Sequence, residues 1–306
     1  MKLTPLALAA AMSLLGGCAA QTASLPPPAT AAIPQAPPRP ELNDPAPDPM
    51  RWTYGSGEAA AASIQAWRDM ADYAIALAAR KPATSVPLGL PGAAGGIATT
   101  SCAGKKPAVV LDVDETVILN LGYEYWLTRG NSYSPEVFDR WASEGASAVA
   151  PVPGAVTGIR RLREAGIAVL YNTNRPSNAA AGTIRALDAV GVGTAVHGET
   201  LFLMGDDALA GNKDGRRKTI SDRWCVVALG GDNLGDFAHT LNDSSQTVQQ
   251  RRSRTTRGEI AQLWGNGWFL IPNAAYGFWQ KGTVGEVFPP DARWEPRPPA
   301  VMEKSK

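Results

Sequence analysis

Residues 107–111, Pro-Ala-Val-Val-Leu, form a short apolar run that ends in Asp112-Val113-Asp114-Glu115-Thr116. A run this short, apolar and rich in β-branched residues predicts a buried strand of a parallel sheet. That constrains the fold, because open α/β sheets place their sites at the carboxyl ends of the strands. Side chains alternate along a strand, so Asp112 and Asp114 are expected on the same side. Two chemistries are open to such a pair. One acid could attack as a nucleophile while the other handles protons, or both could hold a divalent metal. A strand running into an acidic turn would read the same way, so the rest of the chain has to decide.

Further apolar runs predict strands at about 167–171, 201–204, 224–230 and 267–271. Between them lie helical stretches at about 154–165 and 177–190. An Ala-rich segment from Gly57 to Lys81 carries Ile64, Trp67, Ala71, Ala74, Ile75 and Ala78 at helical spacing, and Pro82 ends it. Alternating strands and helices predict an α/β fold with a central five-stranded parallel sheet. Residues 117–150 hold six aromatics and no strand pattern, which predicts a small helical cap inserted after the first strand. The chain has 306 residues, enough for one large domain or two small ones. A net charge of +1 gives no field that would favour a nucleic acid polymer or an anionic surface.

The N-terminus reads as a targeting segment. Met1-Lys2 supplies a positive charge, residues 6–15 are apolar, and Leu15-Gly16-Gly17-Cys18 resembles a bacterial lipobox. The expected organisation is a lipoprotein signal peptide over 1–17, lipidation at Cys18 and a proline-rich tether over 18–51. A domain at 52–290 and a tail at 291–306 follow. Extended polyproline II at about 3.1 Å per residue lets the tether span roughly 80 Å. Ala19, rather than Asp, after the cysteine favours the outer membrane, facing the periplasm. In that oxidising compartment Cys102 and Cys225 could pair. Both lie near the non-catalytic end if their strands are parallel neighbours. Two free buried thiols are the other possibility.

Each predicted strand ends in polar residues. The second gives Thr173-Asn174-Arg175 and the fourth Gly231-Asp232-Asn233-Leu234-Gly235-Asp236. Lys213 lies between them, and Pro272-Asn273-Ala274-Ala275-Tyr276-Gly277 follows the fifth. Together with Asp112-Val113-Asp114-Glu115-Thr116, Asn120 and the lipobox, this order resembles the class C bacterial acid phosphatases. These are lipoproteins of the 5′-nucleotidase type within the haloacid dehalogenase-like superfamily. The resemblance covers roughly residues 52–285 and implies a Rossmann-like haloacid dehalogenase fold with a helical cap.

The resemblance implies a role for each residue. Asp112 attacks phosphorus and forms an aspartyl-phosphate; Asp114 protonates the leaving alkoxide, then deprotonates water. One divalent cation, Mg²⁺, is held by Asp112, the Asp114 backbone carbonyl and Asp232, with Asp236 one helical turn further on. Thr173 bonds a phosphoryl oxygen and Lys213 neutralises charge on that group. Asn174 and Arg175 contact substrate. Phe138 and Tyr276 sandwich a nucleobase, Phe138 standing where the family often has Trp. The partner implied is a small phosphomonoester such as a nucleoside 5′-monophosphate, with the membrane reached only through the lipid anchor. A homodimer is open to the chain.

Blander readings accompany these. Thr173 could cap a helix, and Arg216, Arg217 and Lys218 could be solvated neighbours of Lys213. Arg251, Arg252, Arg254 and Arg257 read as a solvated basic surface, and His197 and His239 as structural. A lipid-anchored binding protein without turnover and a related phosphotransferase are the competing functions. The full set Asp112, Asp114, Thr173, Lys213 and Asp232 argues for turnover.

Overall fold

The order of strands in the sheet places the site. The computed structural model describes residues 41–91 and 96–296. The signal segment, Cys18, most of the proline-rich tether and the end of the C-terminal tail lie outside the described residues. Two helices open the described chain, α1 (Asp48–Gly55) and α2 (Gly57–Ala79). The proline-rich stretch therefore stops short of residue 51, because the chain is already helical from Asp48. Ser56 starts α2 by accepting the Ala59 N–H at 3.0 Å.

The strands are β1 (Pro107–Leu111), β2 (Ile118–Leu119), β3 (Ala150–Pro151), β4 (Ala168–Pro176), β5 (Leu201–Met204), β6 (Cys225–Gly231) and β7 (Trp268–Leu270). Five of them form one parallel sheet in the order β5-β4-β1-β6-β7. The chain builds outward from β1 to β4 and β5, then returns to the other side of β1 with β6. The strand order thus reverses between β1 and β6, where open α/β sheets form a crevice at their carboxyl ends.

Both faces of the sheet are covered. Val109, Leu111, Val169 and Tyr171 pack with Trp67, Met70, Ile159 and Leu187 on one side. Ala108, Val110, Leu170 and Val226 pack with Phe202, Ile220, Phe237 and Trp268 on the other. Burying each large apolar side chain contributes about 1.5–3 kcal/mol relative to leaving it exposed. The expected face of α2 is the buried one at Trp67, Ala71 and Ala74, with Ile75 and Ala78 packed against the core; only Ile64 departs from it. Its buried residues are Ala59, Ser63, Trp67, Met70, Ala71 and Ala74, while Ile64 is 39% exposed. The polar Ser63 is accommodated because its hydroxyl donates to the Pro153 carbonyl at 2.8 Å. Opposite, α5 (Ala155–Glu164) approaches so closely that a Cβ at Gly158 would sit 2.6 Å from the Trp67 ring.

Between β1 and α5 the chain forms α3 (Leu121–Thr128) and α4 (Pro135–Glu144). Antiparallel pairing of β2 with β3 returns it beside its point of departure. Ser134 and Pro135 start α4, the hydroxyl accepting the Val137 N–H at 3.2 Å. Tyr123 lies 5.4 Å from Phe138, edge to face, and 5.7 Å from Trp126. Four helices connect the later strands: α6 (Ala180–Ala189), α7 (Asp214–Arg223) and, before β7, α8 (Val248–Thr255) with α9 (Gly258–Leu263). A short helix, α10 (Val284–Val287), follows β7. At the amino end of the sheet Cys102 and Cys225 form a disulfide, with Cα atoms 4.7 Å apart. The parallel pairing of β1 with β6 brings these two residues together.

Candidate active site

Asp112 follows β1 directly and extends its ladder, its N–H donating to the Gly230 carbonyl at 2.9 Å. Asp232 follows β6 in the same way. Oxygens of Asp112, Asp232 and Asp236 all lie within 4.8 Å of one another. The chain reaches Asp236 through a single turn of 3-10 helix, Leu234–Asp236, tighter than an α-helical turn. A Cβ at Gly231 would collide with the Asp236 side chain, so only glycine lets the turn fold back so closely. Lys213, just before α7, donates to Asp112 and to Asp236, at 2.7 Å to the latter. Asp236 also accepts the Asn233 N–H at 2.9 Å, so it meets the cluster through the lysine.

Burial raises the Asp112 carboxyl to about 7, helped by Asp236 and Asp114 and opposed by Lys213. Burial also raises Asp232 well above the ordinary range, with Asp236 and Asp112 adding to the effect. Burial alone would lower the Lys213 ammonium, but Asp112 and Asp236 outweigh it and hold the group charged. One lysine cannot balance three buried carboxylates. The Thr116 hydroxyl sits 3.2 Å from Asp112 Oδ2 and 3.3 Å from Asp232 Oδ1, and its single proton serves only one of them. Asn273 donates to the other Asp232 oxygen at 2.7 Å. This hard oxygen set, under-supplied with positive charge, fits a divalent cation.

Asp114 belongs to a second network. Its Oδ1 accepts from Arg175 Nε and Asn120 Nδ2, each at 2.9 Å, and its Oδ2 from the Thr173 hydroxyl at 3.3 Å. Asn120 Oδ1 accepts from both Arg175 Nη2 at 2.9 Å and Trp141 Nε1 at 2.8 Å. The network therefore runs from α4 to the loop after β1. Next to it Glu115 adopts a left-handed backbone with φ 51°, unusual for a non-glycine residue. Its carboxylate is held by Tyr276 (2.7 Å), Tyr54 (3.2 Å) and the Asn120 N–H (2.8 Å). Burial, assisted by Asp114, raises Glu115 to about 6.

A cavity of about 980 Å³ opens above these groups. Asp112, Asp114, Lys213 and Asp232 line its floor, and Tyr123, Glu124, Tyr133 and Phe138 its cap side. The model of the HAD superfamily, subfamily IIIB (Acid phosphatase) matches residues 91–279. The chain belongs to this acid phosphatase family. It is a phosphoric monoester hydrolase. The chain is also similar to the solved class C acid phosphatase from Bacillus anthracis. Identity is 26% over 76% of this chain and 85% of that one, with a TM-score of 0.61. The structure of the Bacillus anthracis class C enzyme with tungstate bound gives 25% identity, 81% and 90% coverage and a TM-score of 0.60.

The acid phosphatase fold distributes the residues expected from sequence over three places. Asp112, Asp114, Lys213, Asp232, Asp236, Asn174, Phe138 and Tyr276 line the cavity. Thr173 and Arg175 lie beneath it, 0% and 1% exposed, and both hydrogen-bond Asp114. Thr173 caps no helix, since it sits within β4. Cys18 falls outside the described residues. Arg216 and Arg217 are buried, not solvated. Arg216 holds Asn172 at 2.8 Å and Asn174 at 2.6 Å, while Arg217 donates to the Leu88 and Asp236 carbonyls. Arg251 is also buried, 2.7 Å from Asn242 and over the Phe278 ring, whereas Arg252, Arg254 and Arg257 are exposed. His239 lies on the cavity rim, and His197 meets Asp206 at 2.8 Å. Asn273 stood in the motif after the fifth strand without an assigned role, and Glu124 was not singled out from sequence. The signal was present for each: a polar residue just past a strand end, and an acid inside the apolar helix LGYEYWLT.

Proposed function

We propose that this acid phosphatase is cation-dependent, works through a phosphoryl-Asp112 intermediate and accepts nucleoside 5′-monophosphates among small phosphomonoesters. The convergence of Asp112, Asp232 and Lys213 at adjacent strand ends, beneath an aromatic-walled cavity, carries this reading. Asp112, Asp232 and the Asp114 backbone carbonyl would hold the cation. Bound there, Mg²⁺ supplies the charge that lets an anionic ester approach buried carboxylates.

In the first step an Asp112 carboxylate oxygen bonds to phosphorus as the ester P–O bond breaks. The electron pair leaves on the alkoxide, and Asp114 delivers a proton to it. In the second step water attacks the same phosphorus, Asp114 takes up its proton, and the Asp112–phosphorus bond breaks to regenerate the carboxylate. Thr173, Arg175 and Asn120 hold Asp114 in place for both transfers. Lys213, kept charged by its two aspartates, faces the phosphoryl oxygens. The tungstate complex of the Bacillus anthracis relative supports an oxyanion ligand for the fold.

Phe138 and Tyr276 offer rings to a nucleobase, where stacking contributes about 1–3 kcal/mol for any base. The chain is further proposed to be lipidated at Cys18 and held at the outer membrane. Among the described residues no helix is long and apolar enough to cross a membrane. The test is release of p-nitrophenol from p-nitrophenyl phosphate by the purified protein, with and without EDTA, followed by a panel of nucleoside and sugar monophosphates. Chelator-sensitive turnover with nucleotides among the best esters is expected. Turnover indifferent to EDTA would refute cation dependence, and phosphate appearing mainly on an added nucleoside would make the chain a phosphotransferase.

A further inference from the structure

Glu124 is a buried carboxylate with no hydrogen-bond donor. It is 5% exposed, it lines the cavity, and among the described residues no donor reaches its side-chain oxygens. The cap wall of the cavity carries Tyr123, Leu127, Tyr133 and Phe138 beside the polar Asn131 and Ser132. The Glu124 oxygens are not among the fully enclosed unpartnered atoms, so they open onto the cavity, where a largely desolvated carboxyl without a donor carries a free-energy cost. Burial first, then Glu115 and Asp114, raises the group to about 8, which lessens that cost without supplying a partner.

Its place along the chain says which part of a substrate it meets. The backbone carbonyl of Asn120, whose side chain holds Asp114, accepts the Glu124 N–H at 3.0 Å, so Glu124 lies one helical turn from the residue that bonds the proton-delivering Asp114. Attack by Asp112 directs that alcohol away from the floor of the cavity. We infer that Glu124 forms a subsite for a hydrogen-bond donor, hydroxyl or amino, on the alcohol part of the ester. This rests on the phosphatase reading and extends it, because it identifies a preference that stacking alone does not provide.

The test compares kcat/KM for adenosine 5′-monophosphate, which carries hydroxyl and amino donors, with that for phenyl phosphate, whose leaving group carries none. In Glu124→Leu the ratio of the two should fall more than fivefold, and Glu124→Gln, which keeps an acceptor, should restore at least half of the loss. A parent protein active on both esters, with a ratio that changes by less than this in Glu124→Leu, overturns the subsite alone. A parent inactive on both overturns the phosphatase reading and the subsite with it. Because the comparison is a ratio within each variant, partial misfolding does not mimic the result.

Discussion

Arg175 lies beneath the cavity floor and donates through Nε to Asp114 Oδ1 at 2.9 Å, while its Nη2 reaches Asn120. A residue near the carboxyl end of β4 thereby sets the orientation of the acid that follows β1. Arg175→Met should slow esters with basic alkoxide leaving groups about 100-fold in kcat, because those need the proton. p-Nitrophenyl phosphate, with a leaving group that needs little help, should lose far less. The buried partner charge should also reduce unfolding stability by about 3–5 kcal/mol. Steady-state kinetics on the two esters and denaturant titration check both parts; equal losses on both esters would remove Arg175 from any role in proton delivery.

Asn273 holds Asp232 from the side away from Thr116. Groups that orient a metal ligand in this way contribute about 10–100-fold to metal affinity. Asn273→Ala should raise the Mg²⁺ concentration for half-maximal activity within that range, with the maximal rate changing less. A magnesium titration of activity after chelation measures it.

Glu124 also couples stability to pH. Its folded value of about 8 lies above the ordinary 4.5. Below pH 4.5 folded and unfolded chains both carry the proton. Between about 4.5 and 8 only the folded chain keeps it, so this group's contribution to stability is lost as pH rises through that window. Glu124→Gln removes the loss. Its melting temperature relative to the parent should therefore be higher at pH 8 than at pH 5, and an equal offset at both would contradict the assignment.

The disulfide links residues 123 apart at the end of the sheet opposite the cavity. Closing so long a loop is worth about 2–5 kcal/mol. Cys102→Ser with Cys225→Ser should lose stability in that range by denaturant unfolding while the folded protein keeps its kcat.

The strands, their order of polar ends and the nucleophile candidate were legible in the sequence because each rests on local chemistry. A β-branched run followed by an acid at a strand end needs no tertiary information. The residues beneath the floor were harder. Thr173 and Arg175 stand in a polar strand end, and their bonds to Asp114 and Asn120 depend on the approach of the loop after β1, which no local pattern encodes. Arg216 and Arg217 look like a solvated cluster beside Lys218, which is indeed exposed. Only the packing of α7 against the ends of β4 and β6 distinguishes them. Along α2 the pattern held except at its start, where Ser63 is buried in place of Ile64 because its hydroxyl finds an acceptor in Pro153, a residue 90 positions away.

The central claim is that Asp112 carries the phosphoryl group between the two steps. The most direct measurement is to acid-quench the protein during turnover, reduce with borohydride, which converts an acyl phosphate to homoserine, and map the peptides by mass spectrometry. Homoserine at position 112 and nowhere else is the predicted result. Homoserine at another position, or an unmodified Asp112 in protein that was releasing phosphate at full rate, would contradict it.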